Sequence, residues 1–320
     1  MFSYSNPIKT VYSKEKIPSL ENPSLICGFP GTGFVGKVAI DYLIKQLSAV
    51  HFADIFSSFY SPQITIKQDG TSEIVKNSIY YVKTENKQMK YKKNIPKKNE
   101  SFQHKVQHMN SDNTLPVKNN IAYDDGSFSS PIDLILLTGD SQPIVPGSEY
   151  VLTEEILDVV TKFRISNIYS LAAYVTGTFT KNPRVFGTAT NKNLVKTFRN
   201  HNVSSLDTGN ITGMNGIIIG LGKLHGMDGL CLLGETSGYV IDANASKRIL
   251  ETITGMLSIN VNMDEINKRA KDTEILIKNL EQQMMAKANQ ARTGLVNEVG
   301  QDDEQQIFPQ NRKSNMGYIS

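Results

Sequence analysis

The sequence predicts an α/β protein of three layers, with helices on both faces of a mostly parallel central sheet. Three observations predict it. Short apolar runs alternate with segments of helical periodicity along most of the chain. A glycine-rich turn joins the first apolar run to the first helical segment. The stretch Ile132-Asp133-Leu134-Ile135-Leu136-Leu137 is almost continuously apolar, which suits a strand covered on both faces.

The elements follow in order. Residues 1–23, with Pro7, Pro18 and Pro23, read as an extended lead-in. Ser24 to Phe29 is a short apolar run closed by Pro30-Gly31, hence a buried strand. From Phe34, apolar residues recur at Val38, Tyr42 and Leu47, the spacing of one helix face. Segment 62–83 reads as a hairpin, with alternation over Gln63–Lys67, a turn at Asp69-Gly70 and a β pattern from Glu73 to Val82. Residues 84–129 crowd Lys87, Lys90, Lys92, Lys93, Lys97, Lys98 and Lys105 among polar neighbours, and read as a solvated insertion.

The strand near Leu134 is followed by the polar loop Thr138–Pro143, then by a helix over 149–163 with Ile156, Val159, Val160 and Phe163 on one side. Strands are expected at Asn167–Tyr174 and Arg184–Ala189. Asn191 is placed to cap a helix through Arg199. Asn215–Leu224 reads as a buried helix, Gly229–Gly234 as a late buried strand, and Ala243–Leu257 as a helix. The α/β core therefore spans 24–260, interrupted by the insertion.

Residues 261–292 behave differently. Ile266, Ala270, Thr273, Ile277, Leu280 and Met284 form a heptad seam of under three repeats. Such a seam either packs back on the domain or pairs with a second copy, in which case Ile266, Thr273, Ile277, Leu280 and Met284 carry oligomerisation. Residues 293–320 read as a flexible polar tail with an apolar tip, Met316-Gly317-Tyr318-Ile319-Ser320.

Composition narrows the function. Lys and Arg number 34 against 31 Asp and Glu, and a net charge of +3 is too small to imply nucleic acid. The lysine cluster is the one basic focus, and no aromatic-interleaved nucleic-acid module accompanies it, so nucleic acid is disfavoured. No apolar run reaches the roughly 20 residues that span a bilayer, and Met1–Ser24 has no apolar signal core. The expectation is a cytoplasmic protein with no membrane partner. In that setting Cys27 and Cys231 read as buried thiols. Two Cys and five scattered His show no metal-ligand spacing, so neither metal nor cofactor is expected.

The sharpest local signal is Gly28-Phe29-Pro30-Gly31-Thr32-Gly33-Phe34-Val35-Gly36-Lys37-Val38. Gly31, Gly33 and Gly36 fit the dinucleotide fingerprint, which also needs an acid near Asp54 at the end of a second parallel strand. Gly31, Gly36 and Lys37 fit most of a phosphate-binding P-loop, but Val38 stands where Ser or Thr should reach Mg²⁺, and Asp133 is not at the end of its run. The third reading is structural. Pro30-Gly31 forces a turn, Gly33 and Gly36 let strand and helix approach closely, and Gly28 opens this structural glycine loop.

These segments together resemble the proteasome assembly chaperone family, particularly its archaeal members. The resemblance rests on Gly28–Gly36 followed by Ala39, Asp41 and Tyr42-Leu43-Ile44. It continues through Leu134–Pro143, Gly213-Met214-Asn215-Gly216, Gly234–Tyr239, Asp242 and Ala245, and covers about 24–260 without the insertion. It implies a core similar to nucleoside phosphorylases without their catalysis, and hence no enzyme. It implies binding of proteasome α-subunits or core particles, as a homo-oligomer or with a paralogue. Some members dock a C-terminal tail ending hydrophobic–Tyr–any. Here Tyr318 is third from the end and Ile319 penultimate, so the strict pattern is broken. Either a shifted register docks Met316, Tyr318, Ile319 and Ser320, or this tail does not dock. The competing class is a nucleotide- or nucleoside-binding enzyme using the Gly31–Gly36 loop.

Overall fold

The computed structural model describes residues 7–13, 17–83, 133–298 and 318–319. The lysine-rich insertion expected at 84–129 lies outside these residues, as do Met316 and Ser320.

Twelve strands and six α-helices are described: β1 (Ile8–Tyr12), β2 (Ser24–Gly28), α1 (Val35–Gln46), β3 (Val50–Ser57), β4 (Ile64–Ile66), β5 (Ser72–Ile74), β6 (Asn77–Val82), β7 (Leu134–Gly139), α2 (Ser148–Thr161), β8 (Asn167–Val175), β9 (Val185–Ala189), α3 (Lys192–Arg199), β10 (Ser204–Ser205), α4 (Met214–Leu224), β11 (Asp228–Thr236), α5 (Ala243–Met256), α6 (Asp264–Glu298) and β12 (Tyr318–Ile319). The main sheet runs β1-β3-β6-β7-β2-β8-β11-β9-β10, with β12 on β8 and the hairpin β4-β5 apart.

The sheet is mixed, which corrects the expectation of a mostly parallel one. The centre is parallel: β2 lies between β7 and β8, and β8 beside β11. One flank is antiparallel, β1 on β3, β3 on β6 and β6 on β7. On the other flank β9 is antiparallel to β11 and parallel to β10. The physical reason lies in the connections. Parallel neighbours require a crossover, and α1 leads to β3 at a distance from β2, while no helix lies between β3 and β6 or between β8 and β9, so β6 and β9 run back antiparallel. The hairpin expected over 62–83 is split: β4 and β5 pair with each other, and β6 joins the main sheet. Part of the lead-in, Ile8–Tyr12, is the edge strand.

Helices cover both faces. Leu25 and Cys27 point to the side where Leu152, Ile156 and Val160 of α2 and Met214 and Ile218 of α4 pack. Ile26 points the other way, to Ala39, Ile40 and Leu43 of α1 and Ile249, Leu250 and Ile253 of α5. That is the alternation of a strand buried on both faces. The Asn191 side chain accepts the Leu194 N–H at 2.9 Å and caps α3.

Ser170 stands opposite Cys27 in one register and opposite Cys231 in the other. Two strand spacings separate the cysteines, roughly 10 Å, beyond the reach of a disulfide. Burial pushes the Cys27 thiol up to about 12, with a Ser170 hydrogen bond working against it, and pushes Cys231 up as well. No described helix is long and apolar enough to cross a membrane.

The heptad seam divides. Ile266, Ala270, Thr273 and Ile277 are buried, on the side of α6 that lies along α5. The start of α6 is fastened to α1: Tyr42 donates its hydroxyl to the Asn262 carbonyl at 2.7 Å, and Lys45 meets Glu265 at 2.6 Å. Leu280 is half-buried. Leu276 and Met284 are 47% and 50% exposed.

Candidate functional site

The glycine segment forms the rim of the sheet where β2 ends. Its tightness comes from backbone meeting backbone. A Cβ at Gly28 would lie 2.4 Å from the Gly36 carbonyl oxygen, and one at Gly36 would lie 1.9 Å from that of Leu171 in β8. Only glycine permits that approach. Gly33 is left-handed at φ +66, and a Cβ there would meet the Thr236 hydroxyl at 3.1 Å. Gly31 is extended and accepts the Phe34 N–H at 2.9 Å. Phe34 is itself left-handed and remains 43% exposed.

Segments far apart in sequence converge on this turn. Gln142 donates its side-chain amide to the Pro30 carbonyl and accepts the Met214 N–H at 2.8 Å. Asn215, buried, accepts the Phe29 N–H at 3.2 Å. Asp242 donates its N–H to the Gly33 carbonyl at 2.9 Å. Its carboxylate accepts the Thr236 hydroxyl at 2.7 Å and the Ala245 N–H at 2.9 Å, so one side chain ties β11, the turn and the start of α5 together. The motif residues of 139–143, 213–216 and 234–242 are thus brought to one end of the sheet as a hydrogen-bonded rim.

The chemistry that the two nucleotide templates require is placed differently. Lys37 meets Asp41 at 2.8 Å, the Thr138 hydroxyl at 2.9 Å and Asp140 at 3.9 Å. Thr138 donates its hydroxyl to Asp41 at 2.6 Å. The lysine that a P-loop would aim at a phosphate is held by carboxylates. Asp54 lies in β3, which is antiparallel to its neighbours and three places from β2. It is engaged by Lys76 at 2.8 Å, Ser78 at 2.6 Å and His51 at 2.8 Å. Burial alone would raise its pKa; these three partners outweigh it and hold the carboxyl below its ordinary range. The dinucleotide spacing exists in the sequence but not the parallel strand that gives it meaning. No group of three His, Cys, Asp or Glu among the described residues is positioned to hold a metal ion.

Two features of this end of the sheet bring together residues that the sequence offers only separately. Arg184 grips Glu235 at the end of β11, with its side chain at 2.9 and 3.1 Å and its backbone N–H at 3.0 Å. The guanidinium holds the Glu235 carboxyl below the usual carboxylate range. Glu235 belongs to the Gly234–Tyr239 segment, but nothing in the sequence pairs it with Arg184. The second feature is β8, which continues past the end of β2. Tyr318 and Ile319 of the tail lie there as β12, opposite Val175 and Tyr174. Of the tail residues singled out in the sequence, these two are therefore beside the glycine rim. Of the heptad residues, Ile266, Thr273 and Ile277 are covered within the chain, and Met284 is not.

Comparison with known proteins is informative over most of the chain. The profile of the PAC2 family matches residues 25–281. An uncharacterised protein of Methanocaldococcus jannaschii, MJ1210, is 29% identical over 289 residues, which cover 89% of this chain and 94% of the relative. Among solved structures, Pyrococcus furiosus PbaB, described as an archaeal proteasome activator, superposes with a TM-score of 0.67 at 28% identity, over 86% of this chain and 99% of its own. Pyrococcus furiosus PbaA, described as an archaeal homolog of proteasome-assembly chaperone, shares the fold with a TM-score of 0.60 at 22% identity, over 92% of this chain and 99% of its own.

Proposed function

The chain belongs to the PAC2 family, and from that premise we propose that it is a non-enzymatic proteasome assembly factor that binds proteasome α-subunits or core particles. The observation that carries this reading is the likeness to an archaeal proteasome activator along nearly the whole of that protein. The rim supports it. Its glycines are occupied by strand–helix contact and its side chains by one another, which makes a rigid scaffold for presenting protein-binding surfaces.

The tail is the proposed docking element. A Tyr ring beside an apolar residue fills a groove on a partner at low entropic cost. An oligomer multiplies such tails, and each further one binds at raised effective concentration. A second copy is proposed to cover the face of α6 that carries Leu276, Leu280 and Met284, spaced four residues apart on a side of the helix that α5 leaves partly open.

Pull-down of purified archaeal core particles and free α-subunits is the test, using the full chain and a chain ending at residue 315. Capture by the full chain alone is expected. Capture by both would move the contact from the tail to the folded core. Capture by neither, with micromolar binding of a nucleotide by calorimetry, would overturn the proposal. For the oligomer, Leu280→Asp combined with Met284→Asp is expected to reduce the assembly size seen by cross-linking; an unchanged size would defeat that interface.

A further inference from the structure

Strand β8 has nine residues, and β2 accompanies only the first five, Asn167–Leu171. The chain leaves β2 at Gly28 for the glycine turn, so among the described residues the edge of β8 beyond Leu171 has no core strand beside it on that side. On its other side β11 accompanies it throughout, from Asn167 to Val175. A strand edge with unpaired N–H and C=O groups is a template for another strand.

The direction of those groups follows from the ladder. Thr176 donates its N–H to the Thr236 carbonyl in β11 at 3.0 Å. Backbone polar groups alternate between edges along a strand, so Val175 turns its N–H and C=O to the opposite edge. That edge is the one where Tyr318 stands opposite Val175 and Ile319 opposite Tyr174, antiparallel. The loops bracketing it carry exposed apolar side chains: Phe34 at 43%, Tyr239 at 63% and Ile241 at 60%. Such a surface, a free strand edge beside exposed apolar side chains, takes an extended peptide by strand addition.

The geometry points to the open edge of β8 as an intramolecular docking site for the chain's own tail tip, Tyr318–Ile319, in which the tail is stored in a closed state. The storage deepens the tail reading above and rests on it for its consequence. A tail paired with β8 is not available to a partner, and the apparent affinity for that partner falls in proportion to the fraction of tails released.

The test reads the contact first and the consequence second. Amide hydrogen exchange at Val175 is compared between the full chain and a chain ending at Gly317. At least tenfold slower exchange in the full chain is expected, and equal rates overturn the proposal. The protection should persist over a hundredfold dilution; its loss on dilution overturns the intramolecular contact in favour of a second copy's tail. Val175→Pro removes the donor at the open edge while leaving the Thr176 N–H to β11, and a folded variant should show the Tyr318 resonances of an isolated peptide. Unchanged Tyr318 resonances overturn the proposal. In core-particle binding, Val175→Pro is expected to tighten the full chain at least threefold. If the chain ending at Gly317 binds core particles as well as the full chain does, the tail's function fails, while Val175 protection still reports the contact by itself.

Discussion

Strands β2 and β8 are parallel neighbours, yet they end in opposite ways. Strand β2 stops at Gly28 and hands over to a turn in which every close approach is taken: Gly28 against Gly36, Gly36 against Leu171, Gly33 beside Thr236. Strand β8 runs on to Val175 with one edge open to the tail. The β2 end carries the motif and the β8 end carries none. The difference teaches that a glycine-rich signature can report packing, while a surface suited to binding needs only a strand that outlasts its neighbour.

The strongest way to break the comparison is at Gly36. A Cβ there has no room against the Leu171 carbonyl, so Gly36→Ala is expected to cost about 3 kcal/mol or more through overpacking. An unfolding free energy from denaturant titration within about 1 kcal/mol of wild type would mean that the loop is not packing-limited.

Next comes the contrast within α6. Ile266 is fully buried and Met284 is half exposed. Ile266→Ala should cost about 2–4 kcal/mol, and Met284→Ala should stay within about 0.5 kcal/mol for the dissociated chain. Comparable losses in thermal denaturation would show that the whole helix is structurally equivalent.

A smaller effect is expected where β11 ends beside β8. Arg184 lowers the folded pKa of Glu235, so the pair stabilises the fold above the unfolded carboxylate pKa of about 4.3. That contribution is lost as pH falls through the lower folded value. Arg184 is 64% exposed at its side chain, so solvent screening limits the gain to on the order of 1 kcal/mol or less. Arg184→Met should remove it near neutral pH and flatten the acid limb of the stability profile. An unchanged limb would exclude the pair as its source.

The smallest effect concerns a glycine without a contact. Gly255 in α5 has open space where a Cβ would stand, so Gly255→Ala should raise stability by about 0.5–1 kcal/mol. A loss measured by the same denaturation would imply a neighbour that the fold does not show.

Much of the local structure was determined by the sequence alone. The strand over Leu134–Leu137, the Asn191 cap, helices α1, α2, α4 and α5, and the turn at Pro30-Gly31 depend on residues within one or two turns of each other, and periodicity and capping chemistry report such neighbours directly. Tertiary structure alone decided the rest. A strand buried on both faces reads the same whether its neighbour is parallel or antiparallel, which is why the mixed sheet and the antiparallel place of Asp54 did not show in the spacing. Ile8–Tyr12 is too short and too exposed for its alternation to stand out as a strand. Four of the six heptad residues, Ile266, Ala270, Thr273 and Ile277, were claimed by α5, a helix whose position relative to α6 no local pattern encodes. The convergence of Gln142, Asn215 and Asp242 on one turn joins residues up to about 200 positions apart in the chain, and the open edge of β8 exists only because two strands of unequal length meet in register.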